Sequence, residues 1–389
     1  MSRFGEKNVA ITGIGQSEIY RKPQVLPLEL AVRACERAIA DAGLRPEDID
    51  GASVWPHTVS GTASGFSCAA IPDIAGSLGL KLNWWSGADN AAQMSPIMEA
   101  IAAISAGYCK HVLCWRAVGE RWITQEDRPL PGRLVGFGEW LIPYHAYSAA
   151  TWVGIYASTH MARYGITREQ MGAIPIVQRK HASLNPKAVY RDLITMDDYL
   201  SARMISTPLT LFDCDVPCDG TTAVIISRVD AAKDLRQKPV LIEAVGAGAY
   251  TRMDTWIGRE DYPHMAFYDA AKMMWSRTDL KPKDIDTAHL YDGFTWLVMS
   301  WLEALGICGE GESGAFIEGG HRISLDGELP LNTNGGQLSE GRMHGFGHLH
   351  EAVLQLRGQA DQRQVAGAKV SVVGNGGGSL GGAVLLRTD

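Results

Sequence analysis

The sequence has no run of about 18 uninterrupted apolar residues, the length a helix needs to cross a bilayer, so a membrane-spanning protein is not expected. Its start, MSRFGEKNVAITGIG, lacks the apolar stretch of a secretion signal, and a cytoplasmic location is the expectation. It has neither a basic run nor an acidic tail. The net charge of -7 argues against a nucleic-acid surface, and solubility alone accounts for the acidity. Cysteine is sparse: Cys35, Cys68, Cys109, Cys114, Cys214, Cys218 and Cys308 are odd in number and irregular in spacing, which reads as reduced, mostly buried thiols. Cys214 and Cys218 form a lone C-x3-C with no second ligand pair, which a zinc site requires. What remains is ordinary globular composition, 46% hydrophobic and 20% charged over 389 residues. That is enough chain for two packed domains or one large layered α/β body.

Comparison of the chain with itself shows its organisation. Residues 34–55 read ACERAIADAGLRPEDIDGASVW and residues 270–291 read AAKMMWSRTDLKPKDIDTAHLY. Each is an amphipathic helix, then L-x-P-x-D-I-D, then an apolar run suited to a buried strand. Strand-like runs also precede both copies, KNVAITGIG at 7–15 and KPVLIEAVG at 238–246. In the first copy Leu28, Ala31, Val32, Cys35, Ala38, Ile39 and Ala42 recur three or four apart on one helical face, and Gly43 ends the helix. Residues 96–116 and 348–374 form a second, looser pair of helix followed by β-branched strand. A period of about 230 residues is too long for a solenoid and predicts two α/β halves, 1–230 and 231–389. The first carries a covering region, 117–205, rich in aromatics (Trp122, Trp140, Tyr144, Tyr147, Trp152, Tyr156), with helical periodicity near 149–164 and 168–184. Segments 308–330 and 332–345 are glycine-rich and read as loops.

The duplicated unit, a late N-T-N-G-G and a final strand, G-N-G-G-G, strand arrangement resemble, in that order, the layout of the thiolase superfamily over essentially the whole chain. Through HLYDGFT (289–295) and NTNGGQLSEGRMHGFGH (332–348) the sequence is most similar to the branch of sterol carrier protein x and the bacterial lipid-transfer proteins. The resemblance implies a duplicated thiolase fold of five layers, α-β-α-β-α, a homodimer, and CoA entering beneath the covering region. It places the active site where two central helices point their N-termini. It also implies a small OB-fold, zinc-ribbon-type acyl-CoA-binding protein as partner in a heterotetramer. No cofactor is expected beyond the CoA that the substrate carries.

The departures from that pattern direct the chemistry. In thiolases the nucleophilic cysteine, which forms the acyl-enzyme, begins the first central helix about seventeen residues before the glycine that ends it, here Gly107. Counting back lands on Asn90 in SGADNAAQMSP, a residue that cannot form a thioester; it is expected either to cap the helix or to contact the thioester. The acid/base cysteine of thiolases heads the C-terminal glycine loop, where VVGNGGG has Gly374 or Asn375. In place of the thiolase G-H-P signature stands Gly341-Arg342-Met343-His344.

Without either cysteine the two-step covalent route is closed, yet helix N-termini and the glycine loop, including Asn375 and Gly376, can still stabilise an oxyanion on a thioester. Such a site suits retro-aldol cleavage of a β-hydroxyacyl-CoA, giving a ketone and a short acyl-CoA, and the resemblance implies a steroid side-chain thioester. Tyr291 is the expected base, because retro-aldolases of the lipid-transfer branch carry tyrosine before D-x-F-T; they also tend to carry a second tyrosine where Arg342 stands. A tyrosine of pKa ~10 would need lowering by about two units, ~2.7 kcal/mol, to act as a base near neutral pH. A helix N-terminus contributes ~0.3–1 kcal/mol, up to ~2 when partly buried. Arg342 or a protonated His344 is expected to supply the rest. Each of these residues also has a structural alternative: a core tyrosine for Tyr291, a turn or cap for Asp292, a helix cap for His344, and pairing with Glu340 or Glu351 for Arg342. Asp292 is otherwise a substrate contact. His344 and His348 have the i,i+4 spacing of a metal pair but no third ligand in view, so no metal is expected. The strings G-x-S-x-G and G-x-G-x-x-G at 376–381 both require a following helix, and AVLLRTD is strand-like. Two rival functions stand beside the lyase: acyl transfer without an acyl-cysteine, and non-catalytic binding of acyl-CoA or lipid.

Overall fold

The computed structural model describes residues 4–58, 65–87, 90–122, 134, 136, 138–146, 148–249 and 262–388. In chain order its strands are β1 (Val9–Gln16), β2 (Gly51–Val54), β3 (Trp84–Gly87), β4 (Asn90–Gln93), β5 (His111–Gly119), β6 (Met204–Ser206), β7 (Leu209–Thr210), β8 (Asp219–Arg228), β9 (Val240–Ala249), β10 (Thr287–Leu290), β11 (Val370–Gly376) and β12 (Leu380–Arg387). Nine of them make one mixed sheet in the order β10-β11-β12-β9-β1-β8-β5-β2-β3. The order is symmetric about the β1/β9 junction. On one side β2 runs parallel to β5, which is antiparallel to β8, itself antiparallel to β1. On the other, β10, β11, β12 and β9 repeat those directions. The halves meet through only two residue pairs, Ala10 with Leu241 and Ile11 with Val240.

The duplicated sequence unit now has a physical explanation. In both copies the first aspartate of D-I-D closes a 3-10 turn, Asp48 accepting from Arg45 N at 2.9 Å and Asp284 from Lys281 N at 2.8 Å. The second aspartate accepts the amides that start the neighbouring parallel strand: Asp50 from Lys110 and His111, Asp286 from Lys369 and Val370. The isoleucine between them is buried. Glycines at equivalent places in β1 and β9 let a helix lie directly on the strand. A Cβ at Gly13 would come within 2.2 Å of Ala38 O, and one at Gly246 within 1.9 Å of Ala270 O.

Strand residues alternate between two cores, as period-two geometry requires. Leu113, Trp115, Ala223 and Ile225 face the helix Pro27–Ala42, while Val112, Cys114, Val224 and Ile226 face inward. Likewise Val372, Ala383 and Leu385 face one way, and Val373, Val384 and Leu386 the other. The shared inner core holds the helices Ser95–Ser105 and Phe346–Arg357 between strands of both halves, giving the five layers. The predicted face of the first helix holds apart from Leu28, which is exposed, and Leu30 is buried in its stead.

The covering region contains helices Ala149–Tyr164 and Arg168–Ser183, as the periodicity predicts. Although continuous with the first half in sequence, they put Val153, Tyr156, Met171, Ile174 and Val177 into the outer core of the second. Its aromatics divide. Tyr156 stacks between Tyr262 and Trp296, Trp140 and Tyr144 lie on the surface, and Tyr147 falls outside the described residues. The segments expected to be loops instead hold short helices, Ser313–Ile317 and Gly336–Ser339, too short to show periodicity. Among the described residues no helix is long and apolar enough to cross a membrane. The tail glycines lead into β12, not a helix, as neither nucleotide nor hydrolase signature permits.

Candidate active site

Tyr291 follows β10 directly, its amide donating to Gly374 O at 2.8 Å, so it sits beside the glycine loop that ends β11. Its ring folds back over Gly293, where a Cβ would lie 2.8 Å from the ring and 3.2 Å from the hydroxyl. Glycine is therefore required in D-G-F-T for the tyrosine to turn this way. Asn332 of N-T-N-G-G braces the strand end: its amide bonds both Leu290 N (2.7 Å) and Leu290 O (2.9 Å). Tyr291 is half-buried, and among the described residues its hydroxyl makes no hydrogen bond.

Asp292 is fully buried and faces away from open space. Its carboxylate accepts from Gln337 N (3.0 Å), at the start of the helix Gly336–Ser339, and from His348 Nε2 (2.9 Å). Gly336 makes the approach possible, since a Cβ there would lie 2.0 Å from the carboxylate. The geometry gives Asp292 the capping position rather than a substrate contact, and ties His348 to it, away from His344.

At the first helix start the count from Gly107 slips. The helix begins at Ser95, and Asn90 lies in β4, not at a cap. The tight turn between them puts Ala92 at φ 48. Its Cβ stands 3.0 Å from where Gly376, at φ 94, would carry one, so the residue against the glycine loop presents a methyl group. Asn375 is fully buried beneath Gly345, and among the described residues neither oxygen nor nitrogen of its amide has a partner.

His344, at φ 45, precedes the helix Phe346–Arg357 but makes no capping hydrogen bond. Its Nδ1 lies 2.9 Å from Nη2 of the fully buried Arg116, on β5. Burial first, then the charges of Arg116 and Arg342, hold the imidazole well below its usual pKa, so His344 is neutral. The expectation of a protonated His344 beside Tyr291 is therefore corrected.

Arg342 pairs with neither Glu340 nor Glu351. Its guanidinium bridges Glu120, through Nε at 2.8 Å and through Nη2, and Asp215, through Nη1 at 2.9 Å. Burial opposes its charge, but Asp215 and Glu120 outweigh burial and hold it protonated beyond the usual range. One cation faces two nearly buried carboxylates, so one carboxyl is driven toward its protonated form. Burial and the Glu120 charge, against the pull of Arg342, lift Asp215 to about 7. Asp215 also lines a cavity of about 140 Å³ with Arg21, Arg179 and Tyr190. Burial, followed by Asp215, raises the Tyr291 phenol above its ordinary value despite Arg342. The expected lowering is thus reversed, because burial and the Asp215 charge outweigh the pull of Arg342.

Seven thiols remain in the chain, none at the helix start or in the glycine loop, and burial pushes every one above the usual range. Sequence reasoning reached Tyr291, Arg342 and His344, which the fold brings to one end of the central helices. It missed Arg116, Glu120 and Asp215, single residues without a motif.

Residues 248–386 match the family model described as thiolase C-terminal domain-like. The chain is 36% identical over 361 residues, 90% of both chains, to a steroid side-chain-cleaving aldolase of Thermomonospora curvata. It is 34% identical, over 90% of this chain and 91% of the relative, to 17-hydroxy-3-oxo-4-pregnene-20-carboxyl-CoA lyase of Mycobacterium tuberculosis. Its fold superposes on the solved structure of an Ltp2-ChsH2(DUF35) aldolase with a TM-score of 0.89 at 33% identity over 98% of each chain.

Proposed function

The chain belongs to the thiolase superfamily, among its steroid side-chain-cleaving aldolases, and from that premise we propose that it is a carbon-carbon lyase working without an acyl-cysteine. Its substrate is a β-hydroxyacyl-CoA bearing a steroid on the β-carbon, and its products are a steroid ketone and a short acyl-CoA. The observation that carries the reading is the conjunction of a free tyrosine hydroxyl at Tyr291 with a methyl, Ala92, at the turn into the first central helix.

In this reading the β-hydroxyl proton passes to Tyr291 as the Tyr291 proton moves on, through a bridging water, to Asp215, with which the hydroxyl makes no direct hydrogen bond. The Cα–Cβ bond breaks, its electrons form the thioester enolate, and the ketone departs. His344 Nε2–H and the buried amide of Asn375 donate to the enolate oxygen, and the proton returns along the same path to Cα. No net proton is consumed. A preformed phenolate is not required, and the raised phenol would supply fewer than about one in a thousand molecules in that form at pH 7. A carboxyl near 7 can accept and return the proton at neutral pH.

The protein is proposed to act in the cytoplasm as a homodimer, joined in a heterotetramer by a small OB-fold, zinc-ribbon-type partner of the DUF35 kind that accompanies the Ltp2 aldolase. The test is incubation, with and without such a partner, with a tertiary β-hydroxyacyl-CoA, following ketone and short acyl-CoA. Cleavage that Tyr291→Phe abolishes is expected. Cleavage indifferent to that change removes Tyr291 from the mechanism, and failure of the full complex to turn over any acyl-CoA favours a binding role.

A further inference from the structure

We propose that Arg116 is a positioning residue that locks the His344 ring with its proton on Nε2, so that the ring presents a hydrogen-bond donor and nothing else to the site. The inference rests on the reading of His344 as an enolate donor, and it concerns a residue that no motif marks.

Arg116 rises from β5 with its side chain fully buried. Nη1 donates to Ala117 O at 3.0 Å and Nη2 to His344 Nδ1 at 2.9 Å. Among the described residues Nε has no partner, and no carboxylate lies within ion-pair distance of the group. Its charge instead lies against a pair of rings in edge contact, Trp55 at 4.9 Å and Phe66 at 4.6 Å from the guanidinium carbon. The same two rings enclose the imidazole, Phe66 edge-on at 4.7 Å and Trp55 at 6.0 Å.

A guanidinium has five N–H donors and no acceptor, so the nitrogen facing it must offer a lone pair. A hydroxyl or amide in the same place could accept as well as donate and would leave both tautomers open. With Nδ1 committed as acceptor, the neutral ring carries its proton on Nε2, which has no partner among the described residues. The charged groups facing the ring are Arg116 from β5 and Arg342 from the ring's own loop, both cations, so a second proton on the ring is opposed as well. Burying a cation with no carboxylate costs stability. A role limited to holding the loop could be filled by a neutral donor at lower cost. The guanidinium adds certainty about where the imidazole proton sits, which matters if an enolate oxygen is to meet it: an Nε2 lone pair there would repel the developing charge.

The test is nitrogen-15 NMR of the full-length protein with labelled histidine, His344 being assigned by its loss in His344→Asn. The wild-type ring is expected as a single Nε2–H tautomer that does not titrate between about pH 5.5 and 8. In Arg116→Met both tautomers appear, burial still holds the ring below its usual pKa, and kcat for cleavage falls by about 10²-fold with KM nearly unchanged. Arg116→Lys, whose ammonium likewise donates and cannot accept, is expected to keep the single Nε2–H tautomer, and Arg116→Gln, whose amide can also accept, is expected to let the tautomers mix and serves if the methionine variant fails to fold. A wild-type ring carrying Nδ1–H, or one titrating near 6.5, overturns the proposal, as does an Arg116→Met or Arg116→Gln ring locked in the wild-type tautomer. If His344→Asn leaves cleavage intact, the enolate reading fails while the tautomer result stands by itself, so the two failures are distinguishable.

Discussion

Replacing Asp215 by asparagine should make the protein more stable and less active, and the stability gain should depend on pH in a defined direction. The carboxyl lies at about 7 in the fold against its ordinary value of 3.8. Between those values the folded chain holds a proton that the unfolded chain has released, so stability falls as pH rises. The contribution is fully present below about pH 4 and lost above about pH 7. Three units at about 1.4 kcal/mol each put the whole effect at up to about 4 kcal/mol. Asparagine does not titrate, keeps a carbonyl for Arg342 Nη1, and leaves Arg342 paired with Glu120. Urea unfolding of both proteins at pH 4, 6 and 8 should therefore show the variant gaining on the wild type by a few kcal/mol across the series. Over the same series kcat/KM should stay about 10²-fold or more below wild type, the usual cost of removing a positioned base. A stability difference that is flat with pH would mean the carboxyl is not raised, and would remove Asp215 as the proton's resting place.

Tyr291→Phe should lower kcat by about 10²–10⁴-fold yet change thermal stability little, because the hydroxyl it removes has no hydrogen-bond partner among the described residues; a large loss of stability would favour a core role. Intact-mass measurement after incubation with acyl-CoA should find no acyl adduct, since every thiol is held in its protonated form, and an adduct of acyl mass would overturn the non-covalent route. Gly13→Ala and Gly246→Ala should each destabilise severely, by about 3 kcal/mol or more, and to a similar degree; chemical denaturation in which one is tolerated would break the equivalence of the two helix-on-strand contacts.

How far the sequence is legible depends on whether a residue's partner is near it in the chain. The amphipathic helices, the D-I-D turns and the duplicated strands rest on neighbours a few positions away or on hydrophobic period, and they read directly. The turn into the first central helix is local too, but Asn90 and Ala92 differ by two positions and only the backbone at φ 48 marks the second. Asp215, Glu120 and Arg116 carry no local signal. Their meaning comes from Arg342 and His344, more than a hundred residues away, and from burial in β5, in the turn after it and in the loop before β8. The same distance explains why the expected direction for Tyr291 reverses. Neither the burial that raises the phenol most nor Asp215, which adds to it against Arg342, is visible in the sequence.

That pairing changes the significance of Arg342 itself. Retro-aldol cleavage moves a proton from oxygen to carbon and keeps none, so the site needs a group able to take and return one near neutral pH. A tyrosine raised above its usual range does neither unaided. A single guanidinium between two nearly buried carboxylates carries a net charge of minus one, and a proton added there is shared rather than lost. Arg342, standing where the resemblance implies a tyrosine, holds that pair together, and burial with the Glu120 charge, against its pull, leaves Asp215 near 7 as the titrating carboxyl that the phenol lacks. The two arrangements are not interchangeable one residue at a time: Arg342→Tyr would leave Glu120 and Asp215 buried together with no countercharge, costing about 3–5 kcal/mol before any chemistry was tested.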